Sequence, residues 1–150
     1  MVGELGHNLL VAPLVVSREE ALSGIKAFKS AVEVHNFNTN INVNIPIYVT
    51  EDYAKLKTGY QFTVNNYLAT LQQNRSNAAS RAASLDYETV YDDYAAIGTP
   101  EQVVSKLRFF QRLFDPQEFM GWFNIGGMLP HEEVANSMKL FAEKVIPQFK

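Results

Sequence analysis

Two asparagines at alternate positions of an otherwise apolar segment, Asn42 and Asn44, are the first residues of this chain that could do chemistry. Alternate residues of a β-strand point to the same face of its sheet. Burying an amide without a hydrogen-bond partner costs about 1–3 kcal/mol, so two inward amides predict a polar cavity. Two outward amides would mark only a wetted strand start, and both interpretations stay open. Of the two residues, Asn44 is the better candidate for a ligand contact.

A second group of candidate residues, Trp122, Phe123 and Asn124, ends another apolar segment. Large aromatic side chains can keep water out of a reactive site, and an amide can hydrogen-bond the edge of a ligand. Strand alternation places Trp122 and Asn124 on one face and Phe123 on the other. The alternative is ordinary packing for the aromatic rings and a turn for Asn124.

Composition excludes several classes of site and partner. The chain has no cysteine and three histidines that are far apart in sequence, so no metal site is expected. The formal net charge is −3 and no basic cluster stands out, which argues against nucleic acid as a partner. No segment is apolar over the roughly 18 residues that span a bilayer, and no signal peptide is evident, so we expect a cytoplasmic protein without a membrane partner.

The first half of the chain reads as two strand–helix units. Residues 9–16 and 41–49 are apolar runs typical of buried parallel strands. Ser17 and Glu20 form a capping box that starts the first helix, and Thr50 is expected to start the second. Pro46 removes a ladder hydrogen bond, so a bulge or local break is predicted there. The expected apolar stripe of the second helix consists of Tyr53, Leu56, Tyr60, Val64, Leu68 and Leu71.

The second half repeats this pattern after a polar interval. Residues 72–93 are rich in small and polar side chains and predict a mobile surface excursion, whose tyrosines dock it back onto the body. Residues 94–97 and 119–125 are the next strand candidates. Thr99 and Gln102 form a second capping box, and the last helix is expected to begin at Pro130. The predicted helix stripes are Val103, Leu107, Phe110 and Phe114, then Val134, Met138, Phe141 and Val145.

Strands that alternate with amphipathic helices predict an α/β fold with a parallel sheet. A complete (β/α)8 barrel takes roughly 250 residues, and this chain has 150. The residues therefore allow either a small doubly wound sheet or half of a barrel. Neither G-x-G-x-x-G nor a P-loop motif occurs, which argues against a nucleotide-binding doubly wound domain.

Two stretches resemble the luciferase-like flavin-dependent monooxygenase family. The first is IGTPEQV (residues 97–103) with the helix after it. The second is MGWFNIGG (residues 120–127), followed by Pro130-His131-Glu132 and the helix SMKLFAEKVIP (residues 137–147). In addition, LGHNLLVAPLV (residues 5–15) is similar to the fifth strand of that family and the segment before it. This resemblance covers nearly the whole chain and is weakest at residues 71–94. It implies one domain over residues 1–150, namely the C-terminal half of a TIM barrel.

The resemblance also implies a cofactor and a reaction. Members of the family use reduced FMN to add one oxygen atom from O2 to a small organic substrate, or use the deazaflavin F420 for hydride transfer. The cofactor-binding positions that it implies are Leu10, Ala12 and Pro13, beside Asn44, Trp122 and Asn124; no catalytic residue is assigned. Plain core packing is the alternative for the first three.

A half barrel further implies a partner. We expect either the missing N-terminal half or a second chain to complete the barrel, with a homodimer as one form of the latter, and we expect the isolated fragment to be inactive. The alternative function is a non-catalytic shortened barrel that acts as a partner or dimerising subunit, because open strand edges pair readily with other chains.

Overall fold

The computed structural model describes residues 2–73 and 84–149. Strands and helices alternate along the chain. The strands are β1 (Leu9–Val11), β2 (Ile41–Val49), β3 (Ala96–Gly98) and β4 (Glu118–Trp122). The longer α-helices are α1 (Arg18–His35), α2 (Gln61–Gln72), α3 (Pro100–Phe114) and α4 (His131–Leu140). Short helical turns are Gly3–Leu5, Tyr53–Lys55, Tyr87–Thr89, Val90–Tyr94, Ile125–Gly127, Phe141–Val145 and Ile146–Phe149.

All strand pairs are parallel, and β2 is the centre of the sheet. It pairs with β1 through Ile41 to Val43, with β4 through Asn42 to Pro46, and with β3 through Ile47 to Val49. Since Asn42 and Val43 have register partners in both β1 and β4, these two strands lie on opposite edges of β2. The predicted α/β class with parallel strand–helix repeats is confirmed.

Both predicted capping boxes are present. The Ser17 hydroxyl accepts a hydrogen bond from the Glu20 amide (2.9 Å), and the Glu20 carboxylate accepts one from the Ser17 amide (2.8 Å). Thr99 and Gln102 form the same pair of bonds at the start of α3 (3.3 and 2.9 Å). These contacts satisfy amide groups that a helix start leaves without intrahelical partners.

One side of β2 is fully covered by helices. Its odd-numbered residues pack against α1, α3 and Val145, the last residue of the turn Phe141–Val145. This first core cluster includes Ile41, Val43, Ile45, Ile47, Val49, Ala21, Ile25, Phe28, Val103, Leu107, Phe110, Phe114 and Val145. The predicted stripe of α3 is thereby confirmed in full.

A second core cluster lies around Tyr48 at the carboxyl end of β2. Here α2 and residues 87–97 pack together with Ile125, which follows β4. The buried members are Leu14, Tyr48, Tyr60, Val64, Leu68, Tyr87, Val90, Ala95, Ile97 and Ile125. The second face of the sheet is therefore covered chiefly at its carboxyl end.

Strand β1 is shorter than the apolar run of residues 9–16 predicted. The chain turns after Val11, because the Ala12 carbonyl accepts hydrogen bonds from the amides of Val15 (2.9 Å) and Val16 (3.2 Å). Pro13 has no amide hydrogen to offer a neighbouring strand. Hydrophobicity alone could not distinguish the strand from the buried turn that follows it.

The bulge or break predicted at Pro46 is wrong, since β2 runs without interruption from Ile41 to Val49. Pro46 is the last residue of β2 paired with β4, and pairing with β3 begins at Ile47. The missing amide hydrogen thus falls at the last position of β2 that is paired with β4.

The segment after β2 is not a helix from Thr50, as the sequence predicted. The Asp52 carboxylate accepts a hydrogen bond from the Ala54 amide (3.0 Å) and caps a single turn, and α2 starts only at Gln61. Tyr53, a predicted stripe residue, is 82% exposed. The turn Tyr53–Lys55, capped by Asp52, and helix α2, which begins at Gln61, are therefore separate elements.

Smaller differences concern the last strand–helix unit. Strand β4 covers Glu118–Trp122 rather than residues 119–125, because the chain enters a helical turn at Ile125. In α4, Met138 is half-exposed, and the neighbouring Ser137 is buried instead. The Ser137 hydroxyl accepts a hydrogen bond from the Val49 amide (2.8 Å). This bond holds the face of α4 that carries Ser137 against β2.

The polar interval lies partly outside the described residues, which leave out 74–83. Mobility over residues 72–93 therefore stays a prediction. Tyr87 is buried in the second cluster, and Tyr91 and Tyr94 pack against it, as the docking interpretation expected.

Candidate functional site

One face of the sheet is only partly covered, and we call it the open face. It is defined by Leu10, Asn42, Asn44, Met120 and Trp122. Leu10 is in register with Asn42, Asn44 with Met120, and Pro46 with Trp122. Paired residues of neighbouring strands point to the same side, and alternate residues of one strand share a face. The predicted common orientation of Asn42 and Asn44 therefore follows from the register.

The open face combines exposed apolar groups with one buried amide oxygen that lacks a partner among the described residues. Leu10 is 53% exposed and Met120 is 49% exposed. The Asn42 Oδ1 atom is buried and has no hydrogen-bond partner among the described residues. An unsatisfied buried acceptor costs about 1–3 kcal/mol, so a donor from a ligand or from another segment would be stabilising there. Of the strand residues that the register places on this face, only Glu118 is charged.

Trp122 stands at the carboxyl end of the open face. Its ring meets the Tyr67 ring edge-on with 5.2 Å between centroids. Trp122 belongs to the surroundings of the second core cluster, whereas Phe123 packs on the first cluster and meets Phe141. The predicted opposite orientations of these two residues are confirmed.

Asn124 lies in the turn after β4 rather than in the strand. Its side-chain oxygen accepts a hydrogen bond from the Leu129 amide at 3.1 Å. This contact matches the turn interpretation. The Asn124 amide nitrogen is the remaining donor that a ligand could use.

Ala12 and Pro13 follow the last residue of β1 directly. Val11 is in register with Val43, so this turn leaves the sheet near the level of Asn44. Pro13 is buried and Ala12 is partly buried. Of the six predicted cofactor positions, the structure places Leu10, Asn44 and Trp122 on the open face and the other three in turns that follow strands.

A polar cluster that the sequence did not reveal lies at the carboxyl end of β2. The Tyr48 hydroxyl donates to the Glu133 carboxylate at 2.5 Å, and Lys55 Nζ lies 3.3 Å from the other oxygen of that carboxylate. Burial, together with the neighbouring Glu133, raises the pKa of Tyr48. The hydroxyl therefore stays protonated and ties α4 to β2. Tyr48 and Glu133 are 85 residues apart, so no local pattern could have paired them.

Tyr60 is the other residue that sequence reasoning missed as a site element, because its spacing indicated only a helix stripe. It is fully buried, and its ring stacks on the Tyr48 ring at 5.3 Å between centroids. Its hydroxyl donates to the Trp122 carbonyl at 2.8 Å and accepts from the Ile125 amide at 3.2 Å. Both bonds go to the backbone that carries the predicted site residues of β4.

Within residues 2–73 and 84–149, no group of three or more His, Asp or Glu side chains is arranged to hold a metal ion. No helix there is long and apolar enough to cross a membrane.

Comparison with known proteins gives a structural likeness and no sequence match. No protein-family profile and no curated protein matches the chain. Among solved structures, the chain is similar to a monooxygenase from Streptomyces bottropensis, with a TM-score of 0.73 and 21% identity. That match covers 99% of this chain and 44% of the monooxygenase.

Two other solved structures are similar over almost the same length. The oxygenating constituent of 3,6-diketocamphane monooxygenase from Pseudomonas putida, in complex with FMN, matches with a TM-score of 0.68 and 12% identity over 98% of this chain and 44% of its own. The coenzyme F420 dependent tetrahydromethanopterin reductase from Methanopyrus kandleri matches with a TM-score of 0.65 and 13% identity over 99% and 47%. The chain thus spans less than half the length of the structures it matches, and at these identities the likeness shows the fold.

Proposed function

We propose that this chain is the C-terminal part of a flavin-dependent oxidoreductase of the luciferase-like kind, with reduced FMN as its cofactor and F420 as the alternative. The observation that carries this proposal is the likeness over 98–99% of the chain to structures described as a monooxygenase, an FMN complex and an F420-dependent reductase. The motifs IGTPEQV and MGWFNIGG support the same assignment independently, because they depend on residue identity rather than on the fold.

The open face fits the flavin ring system. An isoalloxazine ring has two flat apolar faces, and one edge carries an N–H donor between two carbonyl acceptors. Leu10 and Met120 offer apolar contact to a ring face, and the Asn42 and Asn44 amides offer acceptors and donors to its edge. The unpartnered Asn42 Oδ1 is the atom that a bound ring N–H would satisfy. When bound, the reduced flavin supplies the electrons for activating O2, and one oxygen atom enters a small organic substrate.

Trp122 and Tyr67 would shield the carboxyl end of this site. Their rings meet edge-on, and large aromatic rings at this end of the sheet would exclude water from one side of the site. Exclusion of water strengthens the electrostatic interactions inside a site and suppresses side reactions. We propose no catalytic residue on the open face.

The described residues provide contacts for the flavin ring system but no site for the phosphate of FMN. Glu118 is the only charged strand residue on the open face, and its charge is negative. The phosphate of FMN therefore requires groups from elsewhere, which we propose come from an N-terminal half or from a second chain that completes the barrel. Turnover by the chain alone is not expected.

Titration with two flavins tests this proposal through Trp122, the only tryptophan of the chain. FMN and lumiflavin, the ring system without ribityl phosphate, should both quench Trp122 fluorescence saturably. Their dissociation constants should agree within about threefold, because a charge contact to phosphate would add a larger difference. The absence of saturable quenching by either flavin at millimolar concentration would contradict the proposed function. Much tighter binding of FMN would place a phosphate site on this chain.

A second candidate is a non-catalytic shortened barrel that serves as a partner or dimerising subunit. The observation in its favour is that β1 and β4 each pair only with β2 within the described residues, so each leaves one edge unpaired. Light scattering coupled to size-exclusion chromatography tests it: a dimer that binds no flavin would favour this candidate, and a monomer would exclude self-association through the edges.

A further inference from the structure

Helix α2 contacts the turn after β4 with one polar face. Tyr60, Thr63 and Asn66 lie on this face at helical spacing. Tyr60 bridges the Trp122 carbonyl and the Ile125 amide. The Thr63 hydroxyl donates to the Ile125 carbonyl and accepts from the Met128 amide (3.2 Å). Asn66 donates to the Gly126 carbonyl at 2.8 Å. Tyr60, which directly precedes α2, and two side chains of α2 therefore satisfy five backbone groups between Trp122 and Met128.

The contact is close and dry. Tyr60 and Thr63 are both fully buried. Gly126 has a φ of +79°, and a Cβ atom built on it would lie 2.1 Å from the Thr63 carbonyl oxygen. Burial raises the pKa of Tyr60, so its hydroxyl keeps its proton and its donor bond. The turn can occupy this position against α2 only with glycine at position 126.

We propose that Tyr60 is the positioning residue of the flavin site, because its hydroxyl fixes the backbone path from Trp122, at the end of β4, through Asn124 to Ile125. This inference rests on the proposed function. Tyr60 binds backbone groups on both sides of Phe123 and Asn124, so loss of its hydroxyl frees the segment at both ends. Pre-organised site residues bind more tightly because less conformational entropy is lost on binding.

Replacing Tyr60 by phenylalanine tests the inference, since Tyr60→Phe removes the hydroxyl and keeps the ring stacked on Tyr48. The Tyr53→Phe variant is the matched control, because Tyr53 is 82% exposed. In Tyr60→Phe we expect the lumiflavin dissociation constant to rise about fivefold, the effect of one lost hydrogen bond. The steady-state anisotropy of Trp122 should fall in the same variant without ligand. Tyr53→Phe should change neither quantity, and circular dichroism should show both variants fully folded.

A second pair of variants covers the case in which Tyr60→Phe does not fold. Thr63→Val removes the hydroxyl contacts to the turn, and Thr63→Ser retains them. Thr63→Val should lower Trp122 anisotropy and lumiflavin affinity, and Thr63→Ser should restore both.

The outcomes separate this inference from the proposed function. If the unmodified chain binds lumiflavin and Tyr60→Phe binds it equally well, positioning by Tyr60 is wrong and the proposed function stands. If the unmodified chain does not bind lumiflavin, the proposed flavin site is wrong, and the positioning of that site by Tyr60 is wrong as well. Unchanged Trp122 anisotropy in Tyr60→Phe would also overturn the inference, whatever the flavin result.

Discussion

The two faces of the central sheet differ in what covers them. On one face, five aliphatic residues of β2 are almost completely buried under helices. On the open face the same strand presents Asn42 and Asn44, flanked by the half-exposed Leu10 and Met120. Alternate residues of β2 form both faces, so the difference lies in which helices and turns of the rest of the chain cover each face. A parallel sheet is normally covered on both faces, and in a barrel the interior is covered by the opposite strands.

Burial therefore alternates along β2. The aliphatic positions supply the apolar area that stabilises the chain, whereas Asn42 and Asn44 lie on the open face. Substitutions on the two faces should therefore have different effects on stability and on binding.

The largest expected effect is on the covered face. Ile45 is fully buried, and Ile45→Ala should lower the free energy of unfolding by about 3 kcal/mol through lost burial and a cavity. Leu10→Ala, a similar truncation on the open face, should cost less than about 1 kcal/mol, because Leu10 is 53% exposed. Urea unfolding followed by circular dichroism measures both. A loss for Leu10→Ala as large as that for Ile45→Ala would show that the open face is packed in solution.

The next effect concerns the one end of the open face that α2 covers. Gly126→Ala places a Cβ atom against the Thr63 carbonyl and should cost about 2 kcal/mol or more. Gly127→Ala is the control, because its φ is also positive (+71°) but nothing lies within 4 Å of the added atom. It should cost only about 1 kcal/mol, the backbone contribution alone. Equal losses in thermal or urea unfolding would mean that α2 is not docked on the turn.

A smaller effect is expected from Tyr48→Phe, which removes the hydroxyl bound to Glu133 and should cost about 1–2 kcal/mol. The pKa of Tyr48 is raised in the folded chain, so its contribution is complete below the ordinary tyrosine pKa of about 10. Above that pH the unfolded chain ionises first and stability falls. Unfolding measured between about pH 9 and 11 should show a shallower decline for Tyr48→Phe than for the unmodified chain. Identical slopes would contradict the buried position of Tyr48.

The smallest effect on stability is expected at Asn44. Its side chain is only partly buried, so Asn44→Ala should change the free energy of unfolding by less than about 0.5 kcal/mol. The same substitution should weaken lumiflavin binding about fivefold if the amide contacts the ring edge. Asn65→Ala, on the exposed side of α2, should change neither property. Equal lumiflavin affinities of Asn44→Ala and Asn65→Ala would show that Asn44 does not contact the flavin.

Features encoded by neighbouring residues were predicted from the sequence. The capping boxes of Ser17 and Thr99 each depend on a partner three residues later, and the bounds of β2 follow from a largely apolar run that includes Asn42 and Asn44. The shared face of Asn42 and Asn44 follows from strand alternation alone.

Features that depend on distant contacts were missed. Tyr60 meets Trp122 across 62 residues, and the capped turn at Asp52 displaced the predicted helix start to Gln61. The partial exposure of the open face was not predicted from the sequence, which indicated only that Asn42 and Asn44 share one face. Its exposure depends on which strands lie opposite, which no local pattern encodes.

The hydrogen bond between the Val49 amide and Ser137 has a consequence for biosynthesis. The two residues are 88 positions apart, and Val49 belongs to the central strand. Contacts of such long sequence separation form late and slow folding. During translation the Val49 amide therefore gains this acceptor only after Ser137 has emerged, and truncation before Ser137 would leave that amide without it.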